Sequence, residues 1–177
     1  MTLRMPVCLI LFFLFAGATR LAATEPEDEL RAATVLAFLR HAEWSPPRPG
    51  VTLIVGVVGR ASMAQALQRS LDGKTAHNRT MRVVRIKRPS ESQECQALYL
   101  ALESRSELKQ FVSALHSPGL LSIGEMDYFL DLGGAVQLLI QDGRIGFEVS
   151  QEALDRSAVS ISSKLLRYGR VRGGPPA

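Results

Sequence analysis

The feature that most constrains the fold of this chain is an uninterrupted apolar run, VTLIVGVV, at residues 51–58. A strand with one face in water alternates apolar and polar residues, whereas this run keeps both of its faces apolar. Continuous runs of this kind are typical of parallel sheets that helices cover on both faces. The run therefore predicts a buried strand, and Ser62 is predicted to cap a helix that follows it to about Leu71.

Helical and strand patterns alternate along the chain on both sides of this run. Two segments have apolar residues at helical spacing and three have strand patterns: helices at 27–44 and 106–115, and strands at 79–87, 95–102 and 120–124. This alternation favours a largely parallel sheet with helices on both faces.

The C-terminal third adds a hairpin to that sheet. Two strand patterns, 135–140 and 144–150, flank the pair Asp142-Gly143, which is a strong signal for a tight hairpin turn. Two short helices are predicted after it, at 151–157 and 162–170. The predicted fold class is therefore α/β, with a mostly parallel sheet flanked by helices on both faces and a C-terminal β-hairpin.

The first 23 residues have the three-part pattern of a secretory signal. Arg4 supplies the positive charge, residues 7–16 are continuously apolar, and small residues then offer a cleavage site after Ala18 or after Ala23. The apolar run is short for a permanent anchor, which needs about 20 apolar residues. An uncleaved N-terminal anchor is the alternative interpretation.

Removal of this segment changes the charge and the cysteine count. The full chain has a formal charge of +4, and the loss of Arg4 and Arg20 lowers it to +2. Cys95 is then the single cysteine, so the exported chain has no intramolecular disulfide. We expect Cys95 to be a buried thiol or a site of intermolecular pairing. We expect one domain at 24–172 and a disordered tail at 173–177.

Motifs of known catalytic and cofactor sites are incomplete in this sequence. The turn at Gly56–Gly59 lies where phosphate-binding loops occur, but a dinucleotide fingerprint needs glycines where this chain has Val58 and Ala61. A P-loop would need a glycine in place of Gln68. The three histidines lie on different predicted elements: His41, His77 and His116. The sequence therefore predicts no enzyme, no cofactor and no metal site.

The turn after the apolar strand remains a candidate site for a small ligand. Open α/β sheets bind ligands outside the carboxyl ends of their strands, and this turn lies at such an end. We take Gly59 and Ser62 as the candidate ligand-binding residues.

A basic stripe is the strongest candidate for binding nucleic acid. Its members lie on one predicted strand and just after it: Arg79, Arg82, Arg85, Lys87 and Arg88. The stripe lacks the interleaved aromatic residues on which bases stack, and export removes the chain from the genome. A solvated strand face or a surface for an acidic partner is favoured, and no nucleic-acid partner is expected.

Several motifs together, in their order and spacing, carry a resemblance to a known family. They are LRAA and EWSP at 30–46, LIVGVVG at 53–59, ECQ at 94–96, LLSIGE at 120–125, GG at 133–134, GRIGFEV at 143–149 and ISSKLLR at 161–167. Over roughly residues 29–171 the chain resembles the YfiR-like family of small exported bacterial proteins.

The resemblance implies a periplasmic α/β protein without enzymatic activity. The best-understood member binds the periplasmic domain of an inner-membrane diguanylate cyclase and represses it, which lowers cyclic di-GMP and biofilm formation. An outer-membrane lipoprotein can sequester that member, which forms homodimers. It also carries more cysteines and uses disulfides, so the single Cys95 weakens the expectation of the same lipoprotein partner.

The resemblance also indicates where a partner would bind. It implies a partner surface near the C-terminal strand and helices, and we take Phe147, Glu148 and Leu154 as candidate partner-binding residues there. Because side chains alternate along a strand, we expect Gly146 and Glu148 to face outward, opposite to Phe147, and to form a small exposed patch with Leu154. Lys164 and Arg167 are spaced to share one helix face. Regulation of a membrane diguanylate cyclase is thus the leading hypothesis. The alternative is a periplasmic ligand-binding module that feeds a sensor kinase or transport system, and a hydrolase is disfavoured.

Overall fold

A computed structural model describes residues 26–47 and 49–173 of the chain. The predicted signal segment at 1–23 and the last four residues of the predicted tail lie outside this range. Within it, no helix combines the length and the apolar character that crossing a membrane requires.

The helices and strands alternate along the chain. The helices are α1 Pro26–His41, α2 Ala61–Leu71, α3 Arg105–Leu115, α4 Gln151–Ser157 and α5 Ser163–Leu166, with a 3-10 segment at Pro89–Glu94. The strands are β1 Ala42–Trp44, β2 Thr52–Gly59, β3 Thr75–Ala76, β4 Arg79–Arg85, β5 Ala97–Ala101, β6 Leu121–Gly124, β7 Val136–Gln141, β8 Arg144–Ser150, β9 Val159–Ile161 and β10 Arg170–Arg172.

The main sheet has the strand order β10-β8-β7-β6-β5-β2-β4-β3. Five neighbouring strands, β4, β2, β5, β6 and β7, are parallel to one another. The β7–β8 hairpin is antiparallel and turns at Asp142-Gly143, and β10 runs parallel to β8. A separate antiparallel pair joins β1 to β9. This architecture confirms the predicted α/β class and the C-terminal hairpin.

The core has two layers, one on each face of the sheet. Leu53, Val55 and Val57 of β2 point into the larger layer, which packs against α1 and α2. Val58 points into the smaller layer beneath α3, where Cys95 is also buried. The continuous apolar run is thus explained by cover on both faces, and the prediction of a buried thiol is confirmed.

Two predicted helices are shorter in the structure because strands replace their ends. The helix predicted over 27–44 ends at His41, since Ala42–Trp44 pairs with Val159–Ile161. The helix predicted over 162–170 is limited to Ser163–Leu166, because β10 follows it and pairs with β8. Long-range strand pairing overrides local helical spacing at both places.

The prediction that Ser62 caps α2 is wrong. The cap position is Arg60, whose side chain makes no cap hydrogen bond, and Ser62 lies in the first turn. Ser150 does cap α4, since its hydroxyl accepts a hydrogen bond from the backbone N–H of Ala153.

The contact between Gly59 and β5 can be tested by substitution. Gly59 has a φ of +96°, and a Cβ there would lie 2.0 Å from the carbonyl oxygen of Ala101. We expect Gly59→Ala to lower the free energy of unfolding by about 3 kcal/mol, because left-handed strain and a forced backbone shift add together. Gly73→Ala, at φ +75° in open space, should cost about 1 kcal/mol from strain alone. Equal losses in urea unfolding would contradict this account.

Candidate functional site

The parallel strands have a topological switch point between β2 and β5, where the order in which the chain adds strands to the sheet reverses. From β2 the chain passes through α2 to β4 on one side, whereas β5 lies on the other side of β2 and leads through α3 to β6. The helices α2 and α3 pack on opposite faces, so the connections diverge between β2 and β5. Open α/β sheets bind ligands in the crevice at such a point.

A groove of about 520 Å³ lies at this end of the sheet. Its lining comes from residues that directly follow β2, β5 and β6, together with one side chain of α1: Arg60, Leu102, Glu103, Arg105, Glu125, Met126, Asp127, Tyr128 and Arg31. We name it the switch-point groove. Its lining contains neither Gly59 nor Ser62, the predicted ligand residues, but includes Arg60 between them.

An ion-pair network forms the floor of the switch-point groove. Arg60 donates to the carboxylates of Asp28 at 2.7 Å and Glu125 at 2.5 Å. The Nε of Arg31 lies 2.7 Å from the other oxygen of Glu125, which also accepts a hydrogen bond from the Tyr99 hydroxyl at 3.0 Å. Asp28 is 1% exposed, so the network ties α1 to the sheet through a buried carboxylate.

Burial and ion pairing act on the pKa values in this network. Burial would raise the pKa of Asp28, but hydrogen bonds with Arg60 and Ser62 outweigh it and hold that pKa below its usual value. Burial would lower the pKa of Arg60, but hydrogen bonds to Glu125 and Asp28 raise it. Burial and the charge of Glu125 raise the pKa of Tyr99 well above its ordinary value. At neutral pH Asp28 and Arg60 are therefore charged, and Tyr99 is a neutral donor.

The rim of the switch-point groove carries charges that the network does not use. The Arg105 guanidinium lies 5.2 Å from the centre of the Tyr128 ring, in a cation–π contact. Glu103 and Asp127 line the same rim and are exposed. None of the three charged side chains forms an ion pair with any residue in 26–47 or 49–173.

This network was not predicted from the sequence, although the sequence carries a signal for it. Arg60 and Glu125 each come directly after a strand of apolar residues, at the ends that a parallel sheet brings together. Asp28 and Arg31 are three residues apart on α1, which places them on one helix face. The missing information was which helix face α1 turns towards the sheet.

Three of the five predicted partner residues line a second groove, of about 850 Å³, beside β8. Phe147, Glu148 and Arg167 line it, together with the turn that leads into β10. Lys164 is exposed on α5 but is not part of the lining. We name this the β8 groove.

The prediction that Gly146, Glu148 and Leu154 form a small exposed patch is wrong. Leu154 is 1% exposed and lies in the larger core layer. Phe147 is 8% exposed, and its ring packs edge to face against Phe38 at 4.9 Å between centroids. Strand alternation turns Glu148 to the face opposite Phe147, as predicted, but the buried Leu154 cannot join Glu148 in an exposed patch.

Charge and exposed apolar side chains meet beside the β8 groove. Glu148 is held by Arg172 at 2.7 Å and Arg170 at 3.6 Å, and Arg172 also contacts Asp131 at 3.1 Å. Tyr168 is 69% exposed. Strand β10 pairs only with the end of β8, so it leaves an open strand edge at this side of the sheet.

Among the residues that the structure describes, no group of three side chains is placed to hold a metal ion. The histidines do not share a site: His77 contacts Trp44 and the carbonyl of Leu39, whereas His116 packs beside Gly133.

Comparison with known proteins gives one family and one solved structure. Residues 28–170 match the model of the YfiR/HmsC-like family. A conserved domain protein from Vibrio cholerae, known from a crystal structure, is similar with 12% sequence identity and a TM-score of 0.49. The match covers 81% of this chain and 59% of the Vibrio chain.

The buried carboxylate of Asp28 predicts how the free energy of unfolding depends on pH. We expect Asp28→Asn to lower the free energy of unfolding at neutral pH by about 2 kcal/mol, because Arg60 loses a charged partner. The lowered pKa of Asp28 contributes stability above its unfolded value of about 3.9, and this contribution is lost as the pH falls through the folded value. The wild type should therefore lose more stability than the variant on acidification.

The matched control is Asp142→Asn in the exposed hairpin turn. It should unfold like the wild type at both neutral and acid pH in urea titrations. An Asp28→Asn protein with the acid dependence of the wild type would contradict the role given to the buried carboxylate.

Proposed function

Because this chain belongs to the YfiR/HmsC-like family, we propose that it binds the periplasmic part of a membrane diguanylate cyclase and represses that enzyme. The family is one of periplasmic, non-enzymatic regulators in diguanylate cyclase signalling. Repression would lower cyclic di-GMP and with it biofilm formation. Binding to a sensor kinase instead is the alternative that the experiment below separates.

The β8 groove is the observation that supports a binding role. It lies next to an open strand edge. Leu139 and Tyr168 line it and are exposed, and Val171 is exposed on the adjoining strand β10. Large apolar side chains exposed near each other mark interaction sites on soluble domains. Aromatic residues such as Tyr168 often contribute most of the binding energy at an interface.

Exposed basic side chains beside the β8 groove favour a partner with negative charge. Arg144 and Arg167 line the groove and Lys164 is exposed on α5 outside the lining, and none of the three forms an ion pair with the residues that the structure describes. Asp142 is an exposed carboxylate in the same lining, so the two exposed arginines there outnumber it. Glu148 is already neutralised by Arg170 and Arg172. The surface is therefore suited to an acidic face of the partner, and opposite charges would also speed the encounter.

Export, dimerisation and a second partner belong to the same proposal. We propose that the chain reaches the periplasm by cleavage after Ala18 or Ala23, and that it forms homodimers. An outer-membrane lipoprotein that competes for the β8 groove would release the cyclase. N-terminal sequencing of the periplasmic protein should find a chain that begins at Thr19 or Thr24.

Complementation in the host bacterium tests the regulatory proposal. Deletion of the gene should raise cyclic di-GMP, and the wild-type gene should restore it. Arg167→Glu should fail to restore it, because like charges across the interface weaken binding by at least about tenfold. Co-purification of the tagged protein with membrane proteins would identify a cyclase or a sensor kinase.

The matched control is Lys109→Glu, an equal charge change on the exposed face of α3. It should restore cyclic di-GMP like the wild type, and both variants should reach wild-type levels in the periplasm. Unchanged cyclic di-GMP after deletion under all growth conditions tested would refute the proposal.

A further inference from the structure

We propose that the free outer edge of β8 receives an extended, acidic segment of the membrane partner as an added β-strand. The added strand pairs with residues 144–147, the part of β8 between the hairpin turn and the residues that pair with β10. This inference rests on the proposed function and deepens it, because it names the conformation and the charge of the partner segment that binds at the β8 groove.

The first argument is that β8 is paired along only part of its outer edge. Strand β10 pairs with β8 at residues 148–150. Within residues 26–47 and 49–173, no strand pairs with the outer edge of residues 144–147. An unpaired edge offers backbone donors and acceptors to a strand of another chain, and many domains bind extended peptides in this way.

The second argument is the direction of the backbone groups along β8. The N–H of Ser150 donates to the carbonyl of Ala135, just before β7, so Ser150 directs its backbone groups to the β7 side. This direction alternates along an antiparallel strand. Gly146 therefore also points to β7, whereas Ile145 and Phe147 direct their N–H groups to the outer edge. These are the donors that an added strand would use.

The third argument is the space beside this edge. The β8 groove has a volume of about 850 Å³, and residues 144–147 line it together with Tyr168 of the turn before β10. A Cβ built at Gly146 would meet no atom within 4 Å, so the surface above this part of β8 is open. An added strand lies about 4.8 Å from its neighbour, and the open surface leaves room for its side chains.

The fourth argument is that this edge lacks the features that protect strand edges from addition. The stretch RIGF at 144–147 has no proline, and its register with β7 is continuous, so it contains no bulge. Within the stretch, Arg144 is the single charged residue. An apolar, unbulged edge of this kind is a ready template for another strand.

The fifth argument is the charge around the groove, which selects an acidic strand. Arg144 and Arg167 line the groove, are exposed and form no ion pair with the residues that the structure describes. Of the two carboxylates in the lining, Asp142 is exposed and Glu148 is held by Arg172. A segment with carboxylates beside the arginines gains charge-assisted hydrogen bonds, whereas a basic segment would face like charges.

An NMR titration of the purified, isotope-labelled protein with peptides tests this inference. The probe is a short capped peptide of alternating valine and glutamate, added up to millimolar concentration. We expect it to shift the amide signals of Ile145 and Phe147 and to slow their hydrogen exchange. Two matched peptides should bind at least about tenfold more weakly: one with lysine in place of glutamate, and one with every backbone amide N-methylated.

Two substitutions at one position separate the backbone contact from the side chain. Ile145→Pro removes the outward N–H, and an edge strand tolerates proline where that N–H is unpaired within the sheet. Ile145→Ala keeps the N–H but also shortens the side chain. We expect the alanine variant to bind the valine–glutamate peptide nearly as tightly as the wild type, and the proline variant to bind it at least about tenfold more weakly. Melting temperatures establish that both variants are folded.

The same pair of variants tests the link to the membrane partner. In the deletion strain, Ile145→Ala should restore cyclic di-GMP to the wild-type level and Ile145→Pro should not, at equal amounts of both proteins in the periplasm. If the proline variant does not accumulate, the comparison with the N-methylated peptide decides whether the backbone of the added strand is required.

Three outcomes would overturn the inference. The first is that no peptide shifts the amide signals of residues 144–147, and the second is that the lysine or the N-methylated peptide binds as tightly as the probe. The third is that both variants restore cyclic di-GMP equally, which leaves repression of a cyclase standing without strand addition. Unchanged cyclic di-GMP after deletion refutes the proposed function instead, and the peptide titration then decides by itself whether the edge accepts an acidic strand.

Discussion

The whole architecture depends on the burial of β2 on both of its faces. Its residues alternate between the two core layers, so α1 and α2 must cover one face while α3 covers the other. Helices that lie on opposite faces force the connections on the two sides of β2 to diverge. That divergence opens the switch-point groove at the carboxyl ends of the strands. The position of the groove is therefore a geometric result of the same apolar run that stabilises the core.

Local patterns predicted most of the elements because each was encoded within a few neighbouring residues. The apolar run predicted β2, and Asp142-Gly143 predicted the β7–β8 hairpin, and the structure contains both. The strands β1 and β10 were missed because their identity depends on distant partners: Ala42 pairs with Ile161, and Arg170 pairs with Glu148. Propensity cannot detect a three-residue strand that exists only because a partner strand lies beside it.

The candidate sites were harder to predict than the fold, for a related reason. Alternation placed Phe147 and Glu148 on opposite faces from sequence alone, but it could not show that Leu154 points into the core. The predicted ligand residues Gly59 and Ser62 lie on either side of Arg60, and only Arg60 lines the switch-point groove. The network of Arg60 with Asp28 and Glu125 joins three elements, and only the packing of α1 brings them together.

The pairing of β1 with β9 has a consequence for how this chain acquires its structure. Ala42 directly follows the first helix, and its partner Ile161 arrives only after most of the chain has been made. The entropic cost of closing so long a loop must be overcome before β1 pairs with β9 and anchors the C-terminal end of α1. A chain that ends before β9 therefore lacks this pairing, and the C-terminal end of α1 stays unanchored until the last strands and helices are made.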